Sequence, residues 1–267
     1  MSTQVETLEA TIQTDTLKSF IDAVRQVTDE CKLQFGGGEE PALSTRAVDP
    51  ANVAMVDVTM EESAFETYNG FSETTVIGVS TDRMKDILST ASGDLITIEW
   101  AGGGNKIVFS SGGLTFNMGG IDPASVRQEP DFPDLGLPNT ATIDVDEIDR
   151  GVNAAELVSD HIVIGATAAE HSEDGEAKLH ITAEGDTDDV EIVWNETGIH
   201  DLSVTETGES IYSVDYMNEV ATGLGSFDDD ATPTINVGEE FPIMIDWSFV
   251  NGDGRGTYLI APRIQND

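Results

Sequence analysis

Four segments of the chain place apolar residues at the three- and four-residue spacing that is typical of amphipathic helices. In the first segment, Leu17, Phe20, Ile21 and Val24 form one apolar stripe. Three of the segments begin with an aspartate, where a carboxylate stabilises the exposed amides of a first helical turn. The predicted helices are Asp15 to Cys31, Ser80 to Ala91, Asp146 to Asp160, and Asp215 to Gly223.

Between these helices, apolar residues alternate with polar ones or form short runs of strand length, and glycine-rich turns separate the runs. The predicted strands include Val53 to Met60, Leu95 to Trp100, Lys106 to Ser110, Leu114 to Met118, Val190 to Trp194, and Pro242 to Phe249. Each half of the chain therefore runs strand, helix, strands, helix, strands. This order predicts an α+β fold dominated by antiparallel sheet.

The same pattern occurs twice along the chain. Ala10-Thr11-Ile12 returns 131 positions later as Ala141-Thr142-Ile143, and Leu17 returns as Ile148. A fixed spacing of this kind indicates a repeated structural unit. We therefore predict two similar domains, each with two helices packed on antiparallel sheet. The predicted bounds are 1–8 for an N-terminal tail, 9–118 for the first domain, 119–138 for a connecting loop and 139–267 for the second domain.

The predicted connecting loop carries four prolines, which forbid a continuous helix or a central strand. It also carries Phe132, Leu135 and Leu137, which a plain solvated linker would not need. We expect these apolar residues either to lie back on the body of the protein or to help form a docking groove.

Acidic residues dominate the charge, with 51 Asp and Glu against 12 Lys and Arg and a formal net charge of −39. Such repulsion opposes a compact state in dilute salt, whereas at molar salt the Debye length falls to about 3 Å. Disorder is the alternative, but 39% hydrophobic residues in periodic runs can build a core. Because the chain has one cysteine, no long apolar run and no secretory pattern, we expect a folded cytoplasmic protein adapted to high salt.

Candidate catalytic and metal-binding residues form no recognisable pattern. The histidines lack the helical spacing of a metal site, and Gly102 to Lys106 lacks the spacing of a phosphate-binding loop. Acidic clusters at Asp186 to Asp189 and Asp228 to Asp230 lack the glycine and terminal glutamate of a calcium loop. We predict no catalytic residue, no metal and no cofactor, so the protein is not expected to be an enzyme.

Three motifs, in the same order along the chain, resemble those of PCNA, the DNA sliding clamp of archaea and eukaryotes. They are the segment Leu43 to Val56, the connector end Leu135-Gly136-Leu137-Pro138, and the segment Tyr258 to Ile264. The resemblance covers about residues 9 to 265 and is especially close to the acidic clamps of salt-loving archaea. It implies a processivity factor, a homotrimeric ring that encircles double-stranded DNA and assembles head to tail through edge strands.

The resemblance assigns three groups of residues. The subunit interface would join about Lys106 to Met118 with about Asp188 to Trp194, through Ile107, Phe109, Leu114, Phe116, Val190, Ile192 and Trp194. The DNA-facing residues would be Lys18, Arg25, Arg83, Lys85 and Arg150. The residues that would bind partner peptides, called the partner groove below, are Val48, Met55, Leu135, Leu137, Pro242, Tyr258, Ala261 and Pro262.

The implied partners are a DNA polymerase, a clamp loader, a flap endonuclease and a DNA ligase, each bound through a short peptide motif. The third and fourth helices carry acidic and amide residues where clamps of the family usually carry lysine or arginine, and this departure predicts only weak direct contact with DNA. Two alternatives stay open: a subunit of a heteromeric clamp, and an acidic structural binding protein. The sequence does not distinguish a cellular clamp from a virus-encoded one.

Overall fold

The computed structural model describes residues 7–36, 39–101, 104–227 and 232–263, and within them the chain divides into two units. Unit 1 comprises the described residues up to Val48, Val56–Pro130 and Ser248–Gly256. Unit 2 comprises Asp49–Met55, Asp131–Trp247 and the described residues from Thr257 onward. Two short segments, Asp49–Met55 and Ser248–Gly256, therefore belong to a different unit from the residues on either side of them in the sequence. The predicted tail lies almost wholly outside the described residues.

The four predicted helices are present, with changed ends. They are α1 (Thr14–Arg25), α2 (Thr81–Thr90), α3 (Val145–Glu156) and α4 (Val214–Leu224). The prediction for the first helix was wrong at its end, because Cys31 lies on a strand, Glu30–Phe35. In that strand Cys31, Leu33 and Phe35 are buried alternately with exposed or half-buried residues, so the two-residue period of a strand replaces the helical period.

Unit 1 packs its helices on antiparallel sheet. Its strands are β1 (Thr7–Gln13), β2 (Glu30–Phe35), β3 (Leu43–Val48), β4 (Ala54–Met60, from Val56), β5 (Thr67–Asn69), β6 (Thr75–Ser80), β7 (Leu95–Ala101), β8 (Lys106–Ser111) and β9 (Leu114–Gly119). One sheet has the order β5-β1-β7-β8-β9, and β2 pairs with both β3 and β6. The strand β9 therefore forms one edge of the five-stranded sheet.

Unit 2 repeats this arrangement. Its strands are β10 (Asn139–Thr142), β11 (His161–Thr167), β12 (Lys178–Glu184), β13 (Asp189–Trp194), β14 (Asp201–Val204), β15 (Gly208–Ser213), β16 (Thr234–Val237), β17 (Ile243–Phe249, to Trp247) and β18 (Gly254–Ile260, from Thr257). One sheet has the order β13-β12-β11-β15, and β10 pairs with both β14 and β16. The strand β13 is an edge strand, as β9 is in unit 1.

The repeated residues build the two cores. Ala10 and Ile12 of β1 and Ala141 and Ile143 of the following repeat are all at most 1% exposed. The helix stripes are buried as well, with Leu17, Phe20, Ile21 and Val24 of α1 fully covered. In each unit the two helices contact each other, α1 with α2 and α3 with α4. The half-chain repeat of the sequence is therefore a repeat of core positions.

Replacing a core leucine should show how strongly unit 1 depends on the α1 stripe. We expect Leu17→Ala to lower the free energy of unfolding by about 2–5 kcal/mol, because it leaves a cavity in a close-packed core. The control is Leu157→Ala, since Leu157 is 89% exposed after α3, and it should change the value by less than about 0.5 kcal/mol. Urea unfolding in molar KCl measures both, and equal losses would contradict the assignment of the core.

Candidate functional site

Seven of the eight residues predicted for the partner groove lie in unit 2, and Val48, buried at the end of β3, lies in unit 1. Five of the seven are partly exposed and available for contact: Leu135, Leu137, Pro242, Ala261 and Pro262. Met55 is 7% exposed and Tyr258 is fully buried, with its ring stacked on Trp247 at 4.6 Å between centroids. These two side chains are therefore core residues, and as placed they expose little or no surface to a bound peptide.

The end of the connector packs on the turn between β16 and β17. A β-carbon built on Gly238 would lie 3.2 Å from Pro138 Cδ, 3.3 Å from Phe241 Cδ2 and 3.4 Å from Leu137 Cδ2. The three side chains thus surround a position that a larger residue would crowd. Leu137, one of the two connector leucines predicted for the groove, is held on the body of unit 2 here.

Phe241 is an apolar surface residue that the sequence analysis did not single out. Its side chain is 44% exposed, next to Pro242 and close to Leu137. Two hydrogen bonds fix its backbone: Tyr212 Oη donates to the Phe241 carbonyl at 2.8 Å, and Ser210 Oγ accepts from the Phe241 amide at 3.1 Å. The sequence signal that could have identified Phe241 as an exposed apolar residue was its position directly after two glutamates, Glu239 and Glu240.

The last described residues form backbone hydrogen bonds with two other segments of unit 2. The Ala261 amide donates to the Val53 carbonyl at 2.8 Å, and the Arg263 amide donates to the Ile211 carbonyl at 2.7 Å. The Arg263 guanidinium also lies 3.8 Å from the Asp160 carboxylate. These contacts hold Ala261 and Pro262 in a defined position. The predicted motif continues to Ile264, which lies outside the described residues.

A buried carboxylate organises the loop that carries Val53. Asp49 is 5% exposed, and its two oxygens accept hydrogen bonds from the amides of Ala51, Val53 and Ala54 at 2.6–2.9 Å. The Tyr216 hydroxyl of α4 donates to the same carboxylate at 2.8 Å. Burial alone would raise the pKa of Asp49, but these four donors outweigh burial and lower it.

A cavity of about 390 Å³ lies beside Pro262 and Arg263. Glu209, Glu239 and Glu240 line it, so its charge is mainly negative. It shares Pro262 with the partner groove.

The predicted DNA-facing residues lie on α1, α2 and α3, and three of them pair with acids of their own unit. Arg25 contacts Asp82 at 2.5 Å and Lys85 lies 3.6 Å from Asp22. On α3, Arg150 contacts Glu147 at 2.5 Å. Lys18 is half-buried on α1. Much of the positive charge of these helices is therefore balanced locally.

Arg83 has a different environment from Lys85, as their spacing of two residues requires. The Arg83 guanidinium carbon lies 5.4 Å from the centroid of the Phe116 ring on β9. This distance is within the range of a cation–π interaction. Arg83 is thus directed toward the edge strand of unit 1.

The predicted interface residues fall into two groups. Leu114, Phe116, Val190 and Ile192 lie partly or largely exposed on the edge strands β9 and β13. Lys106 to Met118, however, forms two strands rather than one edge, and β8 is paired on both sides. Its side chains Ile107 and Phe109 are core residues, as is Trp194 of β13; all three are at most 5% exposed. Core side chains cannot contact a second subunit directly, so only the first group is placed to do so.

The histidines lie apart, each against a different partner: His161 on Asp160, His171 on Thr207, His180 on Glu209 and His200 on Asp144. Within the ranges that the structure describes, no group of three or more histidine, cysteine or acidic side chains could hold a metal ion. The predicted acidic cluster Asp228 to Asp230 lies outside those ranges. The helices described are all too short or too polar to cross a membrane.

Comparison with known proteins gives consistent matches. Residues 7–111 match the family model of the proliferating cell nuclear antigen, N-terminal domain. The chain is 41% identical over 260 residues to the DNA polymerase sliding clamp of Natronomonas pharaonis, and 39% identical over 259 residues to that of Haloarcula marismortui. Both alignments cover 97% of this chain and 99% of the relative.

Solved structures agree with these relatives. The A. fulgidus PCNA structure with the bound C-terminal region of FEN-1 matches with a TM-score of 0.85 and 29% identity, covering 97% of this chain and 100% of that one. PCNA of Thermococcus kodakaraensis matches with a TM-score of 0.82 and 27% identity, covering 96% and 100%.

Proposed function

The chain belongs to the PCNA family of DNA polymerase sliding clamps, and from this membership we propose that it acts as a homotrimeric processivity factor. Such a protein holds replication and repair enzymes on double-stranded DNA and catalyses no reaction. The observation that carries the proposal is the pair of edge strands, β9 in unit 1 and β13 in unit 2, each with partly exposed apolar residues.

A head-to-tail contact between two different edges can close into a ring when its rotation allows closure. Leu114 of β9 is 36% exposed and Val193 of β13 is 46% exposed, so each edge strand presents an apolar side chain that a partner strand could cover. Pairing the two edges would satisfy their free backbone groups and remove a site of aggregation. Because one chain carries both edges, self-assembly is favoured over assembly with a different subunit.

The grip on DNA would be mainly topological. Arg25, Lys85 and Arg150 already pair with acids of their own unit. Counterion release also supplies little binding free energy at high salt. A closed ring needs no strong contact with the DNA that it encircles, because it cannot slide off a circular duplex, which has no ends.

The ring is tested by comparing how well the protein is retained on circular and on linear DNA. After loading by a haloarchaeal clamp loader with ATP, we expect the protein to stay on a nicked circular plasmid and to slide off the same plasmid in linear form. Gel filtration in molar KCl separates bound from free protein. The matched control is Leu114→Asp, which places a charge on the exposed edge strand and should abolish retention on the circle.

Equal retention of the unmodified protein on both plasmid forms would show ordinary binding to DNA and would refute the ring.

Recruitment of partners would use the partner groove together with Phe241. The relative from A. fulgidus was solved with the C-terminal region of FEN-1 bound to it, so peptide binding by this chain is a reasonable extension. Leu137 and Phe241 expose apolar surface close to each other, which suits an anchor residue of a bound peptide. Apolar contact also suits high salt, because salt screens exposed ion pairs but does not screen apolar burial. Polymerase, clamp loader, flap endonuclease and ligase would share this groove.

Truncating the exposed apolar residues should weaken peptide binding. We expect Leu137→Ala and Phe241→Ala each to raise the dissociation constant of a synthetic FEN-1 C-terminal peptide by about tenfold, because each removes buried contact area. Fluorescence polarisation in molar KCl measures the affinity. Leu157→Ala, which truncates a leucine that is 89% exposed, is the control and should leave the affinity unchanged. An unchanged affinity for both groove variants would rule out this groove.

A further inference from the structure

A tyrosine of α4 completes the hydrogen bonding of a buried carboxylate in another segment of unit 2. The Tyr216 hydroxyl donates to Asp49 Oδ2 at 2.8 Å, across 167 positions of sequence. The other donors to that carboxylate are backbone amides of the loop 50–54, and the Tyr216 hydroxyl joins this loop to α4.

The environment of Tyr216 favours a neutral donor. Burial, the hydrogen bond to Asp49 and the charges of Asp49, Glu219 and Asp215 raise the pKa of the Tyr216 hydroxyl to about 12. At neutral pH the phenol is protonated, so its hydroxyl is the donor and the Asp49 carboxylate the acceptor. Glu219, three residues farther along α4, faces the same cluster, and burial followed by the charges of Asp215 and Asp49 raises the pKa of its carboxyl.

The hydrogen bonds continue from Asp49 to the C-terminal segment of the groove. Asp49 Oδ1 accepts from the Val53 amide at 2.6 Å, and the carbonyl of the same residue, Val53, accepts from the Ala261 amide at 2.8 Å. Between them the loop turns through Asn52, whose φ of 59° lies in the left-handed region. A shift of the Asp49 carboxylate would therefore move the acceptor that holds Ala261.

We propose that Tyr216 and Asp49 form a positioning pair that sets the Val53 carbonyl and, through it, the Ala261–Pro262 part of the partner groove. The pair makes partner affinity depend on α4, a helix that contributes no side chain to the groove itself. This inference rests on the proposed function, because it assigns the pair a role in binding partner peptides.

The hydrogen bonds of Asp49 make it possible to distinguish a positioning role of Tyr216 from a purely stabilising one. Three backbone amides satisfy Asp49 without Tyr216, so the loop keeps most of its hydrogen bonds when the hydroxyl is removed. What is lost is the direct hydrogen bond between the carboxylate and α4. Removing the hydroxyl should therefore change peptide affinity more than the stability loss alone explains.

The test compares two tyrosine hydroxyls. We expect Tyr216→Phe to raise the dissociation constant of the FEN-1 C-terminal peptide by about fivefold in molar KCl, since a hydrogen bond to a charged group is lost. Tyr68→Phe is the matched control, because the Tyr68 hydroxyl donates to the carbonyls of Gly36 and Ala42 within unit 1 at 2.8 and 2.7 Å. It should lower stability comparably and leave peptide affinity unchanged.

A second readout does not need the peptide. Amide hydrogen exchange of Ala54 and Ala261 should become faster in Tyr216→Phe and stay unchanged in Tyr68→Phe. Asp49→Asn should accelerate the same two amides. In the double variant Tyr216→Phe with Asp49→Asn, the effects should be less than additive, as expected for residues that act together.

The outcomes separate this inference from the proposed function. If the unmodified protein binds no peptide, the proposed function fails, while faster exchange at Ala261 in Tyr216→Phe would still support the mechanical link. If the unmodified protein binds and Tyr216→Phe matches Tyr68→Phe in both affinity and exchange, the positioning pair is refuted.

Discussion

Burial of apolar helix stripes against antiparallel sheet holds each unit together, and the charge of the chain makes this burial indispensable. A formal net charge of −39 opposes compaction wherever salt does not screen it. The residues of the half-chain repeat provide the burial that this charge requires, because Ala10, Ile12, Ala141 and Ile143 all lie in the cores. The two units thus resemble each other because the same core positions recur in each half of the chain.

The same charge limits how the protein can work. Three of the five predicted DNA-facing residues pair with nearby acids, so little positive charge remains for a direct grip on phosphates. Encirclement and apolar docking both function without such charge. In the function we propose, ring closure through β9 and β13 and peptide binding at Leu137 and Phe241 would therefore both suit high salt.

Periodicity and the repeat predicted the α+β class, the four helices and the six strands named from the sequence, because those features depend on local residue patterns. They could not locate the end of α1, since Cys31 suits a helix stripe as well as the buried face of β2. They also missed Phe241 and the buried Asp49, whose roles depend on residues far away in sequence, such as Leu137 and Tyr216. The assignment of Asp49–Met55 to unit 2 and of Ser248–Gly256 to unit 1 likewise could not be predicted from local residue patterns.

The mass of the protein in solution tests the central claim, a ring built from identical subunits. Light scattering after size exclusion in molar KCl should give three times the 28.5 kDa of one chain. At low KCl the acidic repulsion is less screened, so the mass should fall toward that of one chain. A single chain at every salt and protein concentration would contradict the account and would direct attention to a missing second subunit.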